Sequence, residues 1–272
     1  MPIQRRLRTT KAMNGTENKI NYAIHSVPGQ VRAHNEDSIL SCPELGLWVI
    51  ADGMGGHQRG EVASAIVVAA IAESMGLQDS LEVAIHAANQ AIVQAAALDP
   101  ASKGMGSTVV AVKFNGADYQ LAWVGDSRAY LLGSRNIIPL SKDHSWVQAM
   151  IDIGQLSAEE ARTHPRKNEI TQCLGYASLE LEVGVVRGTL ENGQRILLCS
   201  DGLHGELSDQ LLFKLGSRGE LDAAVIALIS AANHAGGKDN ISCALVMGGF
   251  AAVPVGALPK IGFLKKLLRI KA

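Results

Sequence analysis

The chain is poor in aromatic residues, in surplus charge and in long apolar runs. Phe, Trp and Tyr make up 4% of its 272 residues, too few for the stacking platforms that single-stranded nucleic acid requires. Lys and Arg number 25 against 26 Asp and Glu, a net charge of −1, so no bulk field draws in a nucleic acid. Both absences argue against a nucleic-acid partner. No stretch of 18 apolar residues occurs, which excludes a membrane-spanning helix of ordinary length. Cys42, Cys173, Cys199 and Cys243 contain no CxxC pair. Three of them sit in apolar surroundings and read as small core residues in a reducing compartment. The N-terminus "MPIQRRLRTTKAMNGTENK" is basic, but no apolar run follows it, so it is not a secretory signal. A cytoplasmic location is the expectation.

What is present is a soluble-protein composition, 47% hydrophobic and 19% charged, on a chain long enough to bury a sizeable core. Residues 1–19 are polar and read as a flexible arm. From residue 20 short apolar runs follow β spacing, "INYAIHSV", "SILSC" and "LGLWVIAD", with a turn at Pro43–Glu44. Residues 60–75 and 80–98 are Ala-rich with apolar positions at helical spacing, suited to two closely packed helices. "STVVAVKF", "YQLAWVGD", "RAYLLG" and "NIIPL" follow as short runs joined by tight turns, "NGAD" being a hairpin signal. They read as one antiparallel meander. After a polar, turn-rich stretch over 143–180 come strands "LEVGVVRG" and "RILLCSD", helices over 208–215 and 220–234, and a last strand "ISCALVMGG". Strands grouped with strands and helices with helices predict an α+β class, antiparallel sheets covered by helices, in a single domain over 20–250.

Three of the strands end oddly. "LLCSDG", "VIADG" and "WVGDS" each deliver an acid beside a glycine as they leave the core. Singly, an Asp-Gly or Asp-Asn step is ordinary turn chemistry. Together, Glu36, Asp37, Asp52, Asp126, Asp201 and Asp239 would repel one another and raise each other's pKa unless a cation neutralised them. Hard oxygen donors without cysteine favour Mg²⁺ or Mn²⁺ over Zn²⁺. The glycines are expected to let the backbone turn and to aim a carbonyl at the ion. A carboxylate cage holding two such ions is a recurring device for in-line attack on phosphorus. Arg32, four residues before Glu36, is either the guanidinium that grips the phosphate or the partner of an internal salt bridge to Glu36 or Asp37.

"RAHNED", "ADGMGGH", "GMGSTVV", "WVGDSRAYLL", "DHSWVQAMIDIGQLSAEEARTHPRKNEITQCLG", "LLCSDGL" and "GGKDNIS" occur in the order seen in bacterial protein phosphatase 2C-type (PPM) enzymes, and the chain resembles that family over about residues 20–248. The resemblance implies an αββα sandwich, two antiparallel sheets face to face between helix pairs, with a metal cleft at one edge. It implies that Asp52 bridges two core ions, that the Gly53 carbonyl binds one, and that Asp201 and Asp239 complete the other. Glu36 and Asp37 would hold metal waters or bind an ion directly, and Asp126 with Asp201 a third, weaker ion. Arg32 would clamp the substrate phosphate. The implied reaction is hydrolysis of phosphoserine or phosphothreonine by a metal-bridging hydroxide, with no phosphoenzyme. The implied partners are phosphorylated proteins, above all a cognate Ser/Thr kinase and its substrates, in cell-envelope or secretion regulation.

One departure concerns the acid that protonates the leaving alkoxide. Some relatives carry a histidine right after the Asp-Gly, where this chain has Met54. His57 or a water is left for that role, and His57 also reads as a residue stabilising the start of a helix. The stretch 143–175 corresponds to the family's flap beside the cleft, with His144 and His164 as substrate contacts or as surface and capping residues. The tail 251–272, "PKIGFLKKLLRIKA" at its end, is basic and amphipathic. It suits an anionic membrane surface or a partner, or else a frayed terminus. A monomer is expected.

Rival chemistries fit less well. "GDSRA" misses the G-x-S-x-G pattern at Ala129. No cysteine has an arginine six residues on, as a cysteine phosphatase needs, and "GGKDN" has Asp239 where a P-loop needs Ser or Thr. The non-enzymatic rival, a phosphatase-like binding scaffold, would be marked by loss of a metal acid, and every expected acid is present.

Overall fold

A computed structural model describes residues 19–249 apart from 56–58, 78, 100–101 and 178–179. His57, the basic tail over 251–272 and nearly all of the N-terminal arm therefore lie outside the described residues.

In chain order the elements are β1 (Lys19–Val27), β2 (Asp37–Cys42), β3 (Leu47–Met54), α1 (Arg59–Gly76), α2 (Leu81–Leu98), β4 (Gly106–Ser107), β5 (Val109–Asn115), β6 (Asp118–Val124), β7 (Arg128–Leu132) and β8 (Ile137–Pro139). Then come α3 (Trp146–Asp152), α4 (Ala158–Thr163), β9 (Gly184–Thr189), β10 (Arg195–Cys199), α5 (Asp201–His204), α6 (Asp209–Gly216), α7 (Leu221–Ala235) and β11 (Ile241–Gly249). They form two antiparallel sheets, ordered β1-β11-β10-β7-β8 and β2-β3-β5-β6-β9, with β4 appended to β3. Among the described residues no helix is long and apolar enough to cross a membrane.

Side-chain alternation sorts each strand into two faces. On β3, Leu47, Val49 and Ala51 pack against α1 and α2, while Trp48 and Ile50 join Val110, Val112, Trp123, Ile196, Leu198 and Val246 between the sheets. On β10, Leu197 and Cys199 face α5, α6 and α7 instead. Three apolar layers thus alternate with four structural ones, the expected αββα sandwich. Trp48 is wholly buried, and truncating such a residue to alanine costs about 3–5 kcal/mol.

The run of strands from 107 to 140 is not one meander. β5 and β6 pair as a hairpin through Asn115 and Asp118, but β7 and β8 belong to the other sheet. The chain changes sheet at Gly125, whose φ of +100° is open to glycine and strained for other residues. The hydrophobic pattern is the same on either side of such a crossing, so it gives no sign of it.

The 143–175 stretch is stitched together. α3 and α4 begin at Ser145 and Ser157, whose side chains accept from Gln148 and Glu160 main-chain N–H groups. The Trp146 and His164 rings stack at 4.8 Å, and the Arg166 guanidinium lies 3.9 Å from the Trp146 ring centre.

Candidate metal centre and active site

Alternation also explains why acids appear where strands leave the core. Asp52 continues the inward parity of Trp48 and Ile50, and Asp37 that of Ile39. The two acids face each other in register across β2 and β3. The space between the sheets is apolar in its middle and closed at this end by acids and hydroxyls.

Gly125 turns the chain as expected, but the other two glycines do something else. β3 runs on through Gly53 to Met54, and Gly202 lies inside α5. Each is there because another backbone comes too close for a side chain. A Cβ on Gly53 would sit 1.9 Å from the Gly60 carbonyl oxygen, and one on Gly202 would sit 2.0 Å from that of Asn240. The first approach ties the start of α1 to β3, and the second ties α5 to the 236–240 turn.

Each acid has its own mounting. Asp52 is held through its main chain, its N–H donating to Thr108 Oγ1 (3.3 Å) and its carbonyl accepting from Thr108 N (2.8 Å) and Ser107 Oγ (3.0 Å). Asp37 is 8% exposed. Its Oδ2 accepts from Ser200 Oγ (2.8 Å) and Ser242 Oγ (2.6 Å). Asp201 opens α5, with its Oδ1 buried and without a hydrogen-bond partner, as is Asp37 Oδ1. Asp126 follows Gly125, and this turn is clamped twice. His204 Nε2 donates to the Asp126 carbonyl at 3.0 Å. Gly125 N donates to His144 Nδ1 at 3.3 Å, while His144 N donates to the Gly125 carbonyl at 2.9 Å.

Asn240 gathers the β1–β2 loop that carries Arg32 and Glu36. Its Nδ2 donates to the Pro28 and His34 carbonyls and its Oδ1 accepts from Glu36 N, which uses both donors of the amide and one of its two acceptor positions. Arg32 pairs with Asp239 at 2.8 Å rather than with Glu36 or Asp37.

Together these elements wall a cleft of about 340 Å³, lined by Arg32, Glu36, Asp52, Gly53, Asp126, Asp201 and Asp239, with Met54, Thr108, Asn168, Ile170 and Asn240 around them. Of the expected metal-site residues, Asp37 alone among those described lies outside this lining, beside Asp52 on the neighbouring strand. Neither His144 nor His164 lines it either. His144 braces a turn, and His164 caps α4 and stacks on Trp146.

The electrostatics are those of acids held too close. Burial, then the charges of Asp37, Asp201, Asp126 and Asp239, pushes the Asp52 carboxyl well up from its ordinary range. Burial, then Asp201, raises Asp126. Burial and Asp239 lift Asp201 to about 6, and burial lifts Asp37 to about 7 against the pull of its two serines. His204 is pushed down to about 3 by burial and by the Arg128 guanidinium. Because a carbonyl can only accept, the neutral ring must carry its proton on Nε2.

These residues fit hard divalent cations. The donors are all oxygens, one of them on Asp201 is buried and unsatisfied, and bringing in positive charge relieves the repulsion that raises their pKa values. Among the described residues no three His, Cys, Asp or Glu side chains are already drawn into a closed cage.

The family model for protein phosphatase 2C matches residues 29–245, most of the chain. The chain belongs to that family. It is 38% identical over 229 residues to the serine/threonine protein phosphatase PstP of Mycobacterium tuberculosis, an alignment that takes in 82% of this chain and 44% of the relative. The chain thus spans less than half the length of that relative. It is 35% identical over 234 residues to the protein phosphatase PhpP of Streptococcus pneumoniae, covering 80% of this chain and 93% of that one. The solved catalytic domain of PstP in complex with two manganese ions superposes with a TM-score of 0.76 at 35% identity, over 84% of this chain and 98% of that one.

Sequence reading missed the groups that hold these acids in place. Ser200 and Ser242 on Asp37, Ser107 and Thr108 on Asp52, Asn240 on the β1–β2 loop and His204 on Asp126 were all passed over. A signal existed for two of them. Ser200 and Ser242 sit at the inward parity of β10 and β11, where an apolar residue belongs.

Proposed function

We propose that this chain is a metal-dependent phosphatase acting on phosphoserine and phosphothreonine in proteins, and that it opposes a Ser/Thr kinase. The observation that carries the reading is the cleft itself, four aspartates converging beside an exposed guanidinium, with the buried Asp201 Oδ1 unsatisfied. Asp52, the Gly53 carbonyl, Asp201 and Asp239 are the candidate holders of two Mn²⁺ or Mg²⁺ ions. Glu36 is a candidate for their waters, and Asp126 with Asp201 for a third ion. When bound, such ions supply Lewis-acid charge and an activated water for in-line attack on phosphorus.

The chain's own residues do the rest. Arg32 and Asp239 have side chains 54% and 36% exposed, and an ion pair so open contributes only ~0–1 kcal/mol. Exchanging that carboxylate for a phosphate dianion therefore costs little, and the planar guanidinium can bond two phosphoryl oxygens at once. Asp37 lies outside the cleft lining and fixes β2 against the ends of β10 and β11 through its serines. The departing alkoxide needs a proton, for which His57 and a water are the two candidates.

The test is phosphate release from a phosphothreonine peptide with Mn²⁺, Mg²⁺, Zn²⁺ or EDTA. Turnover with Mn²⁺ or Mg²⁺ that EDTA abolishes is expected. A folded protein with no turnover under any metal would overturn the reading and favour a binding scaffold.

A further inference from the structure

A second cleft, of about 700 Å³, opens beside the first. The two share Asp126, Asn168 and Asp201 in their linings, so they form one continuous trough. The larger part runs between α3 and α4 on one side and the α5–α6 segment on the other. Its volume falls within the range of built ligand sites, and a phosphoryl group, already placed in the smaller part, leaves it unfilled.

The chemistry of its walls is uneven. Val147, Ile151 and Ala161 supply an apolar surface. Of the cations along it, Arg128 is bound to Asp143 at 2.6 Å and Lys142 to Asp152 at 2.7 Å. Arg162 and Lys167 line the same wall and are exposed, and neither side chain has an ion-pair or hydrogen-bond partner among the described residues. On the opposite wall Glu206 is engaged by Lys238 at 3.5 Å, leaving Asp209 at the start of α6. The uncommitted charge on the flap wall is positive.

We propose that this trough binds the polypeptide beside the phosphorylated residue, and that Arg162 and Lys167 select substrates with acidic side chains there. The inference rests on the phosphatase reading above and names the class of substrate that reading leaves open. Continuity with the carboxylate cleft makes the occupant part of the same molecule as the phosphate. A trough with apolar surface and a free cationic rim suits an acidic peptide segment rather than a small phosphorylated metabolite, which would leave most of it unfilled.

The experiment compares phosphothreonine peptides with two Asp, two Ala or two Lys placed before or after the phosphothreonine, and runs p-nitrophenyl phosphate in parallel. On one side of the phosphothreonine, wild type is expected to prefer Asp over Ala flanks by about fivefold in kcat/KM, the scale of one exposed ion pair. Arg162→Glu is expected to erase or invert that ratio. Equal kcat/KM for all flanks, or a ratio unmoved by Arg162→Glu and Lys167→Glu together, overturns the inference while hydrolysis of p-nitrophenyl phosphate leaves the phosphatase reading standing. Failure to hydrolyse p-nitrophenyl phosphate or any peptide with Mn²⁺ present overturns both.

Discussion

The two parts of the trough are built in opposite ways. The carboxylate cleft is made of strand ends and tight turns locked by long-range contacts, Asp37 to Ser242 and Glu36 to Asn240 among them. The larger trough is walled by short helices that contact each other and their own loop, as Trp146 does His164. In the first part backbones approach so closely that only glycine fits, and charges of one sign crowd together. In the second, charges stand paired or face water. Fixed geometry comes from strand ends, turns and a helix start anchored on the sheets, whereas loops and short helices are the parts of a fold that vary most readily.

That contrast breaks first at the acids. Asp201→Asn removes a carboxylate from the crowded end and is expected to lower kcat by roughly 10²–10³-fold, with the fold kept. Phosphate release together with circular dichroism reads both. Gly53→Ala forces a Cβ against the Gly60 carbonyl and should cost about 1–3 kcal/mol of stability, measured by urea unfolding. A Gly154→Ala control, where φ is +72° but no atom lies within 4 Å, separates backbone conformation from collision. A Ser242→Ala change strips one donor from a buried carboxylate and should cost about 1–3 kcal/mol by the same measurement.

The mildest change sharpens the comparison at its seam. His204 donates to the Asp126 carbonyl without lining the carboxylate cleft. His204→Leu is expected to weaken the proposed third Mn²⁺ site, of which Asp126 would be a ligand, about 10–100-fold, read by calorimetric titration, while the two proposed core sites keep their affinity. His204→Gln keeps a donor near the same place and should restore most of it. Equal weakening of all sites in both variants would mean that His204 is only packing.

Much of the sandwich was legible from periodicity because its strands and helices are long and regular. The run over 60–75 became α1 and that over 208–215 became α6 almost unchanged. The one-turn α5 was not seen, since four residues carry no period. The sheet change at Gly125 was hidden because strands on both sides bury the same kind of residue. For the site, composition and spacing pointed to a metal, but strand ends distant in sequence can be brought together only by topology, and there the family resemblance carried the argument. Its mountings depend on pairings such as Asp37 with Ser200, 163 positions apart, which no local pattern announces. Glycine was misread for the same reason. The carbonyl that excludes a side chain at Gly202 belongs to Asn240, on a distant part of the chain, so a turn looked sufficient.

The central claim is that the end of the sandwich bearing Asp52, Asp126 and Asp201 is a cluster of repelling acids that a divalent cation completes. Folding raises these acids and Asp37 above the ~3.9 of an unfolded aspartate, Asp37 to about 7 and Asp201 to about 6. The folded chain then holds more protons between roughly pH 4 and pH 7, so stability falls as pH rises through that window. The measurement is the melting temperature from pH 5 to pH 8, with EDTA or with Mn²⁺. The account predicts a Tm that declines with pH in EDTA and an Mn²⁺-induced rise that grows with pH. A Tm indifferent to Mn²⁺ at every pH would contradict it.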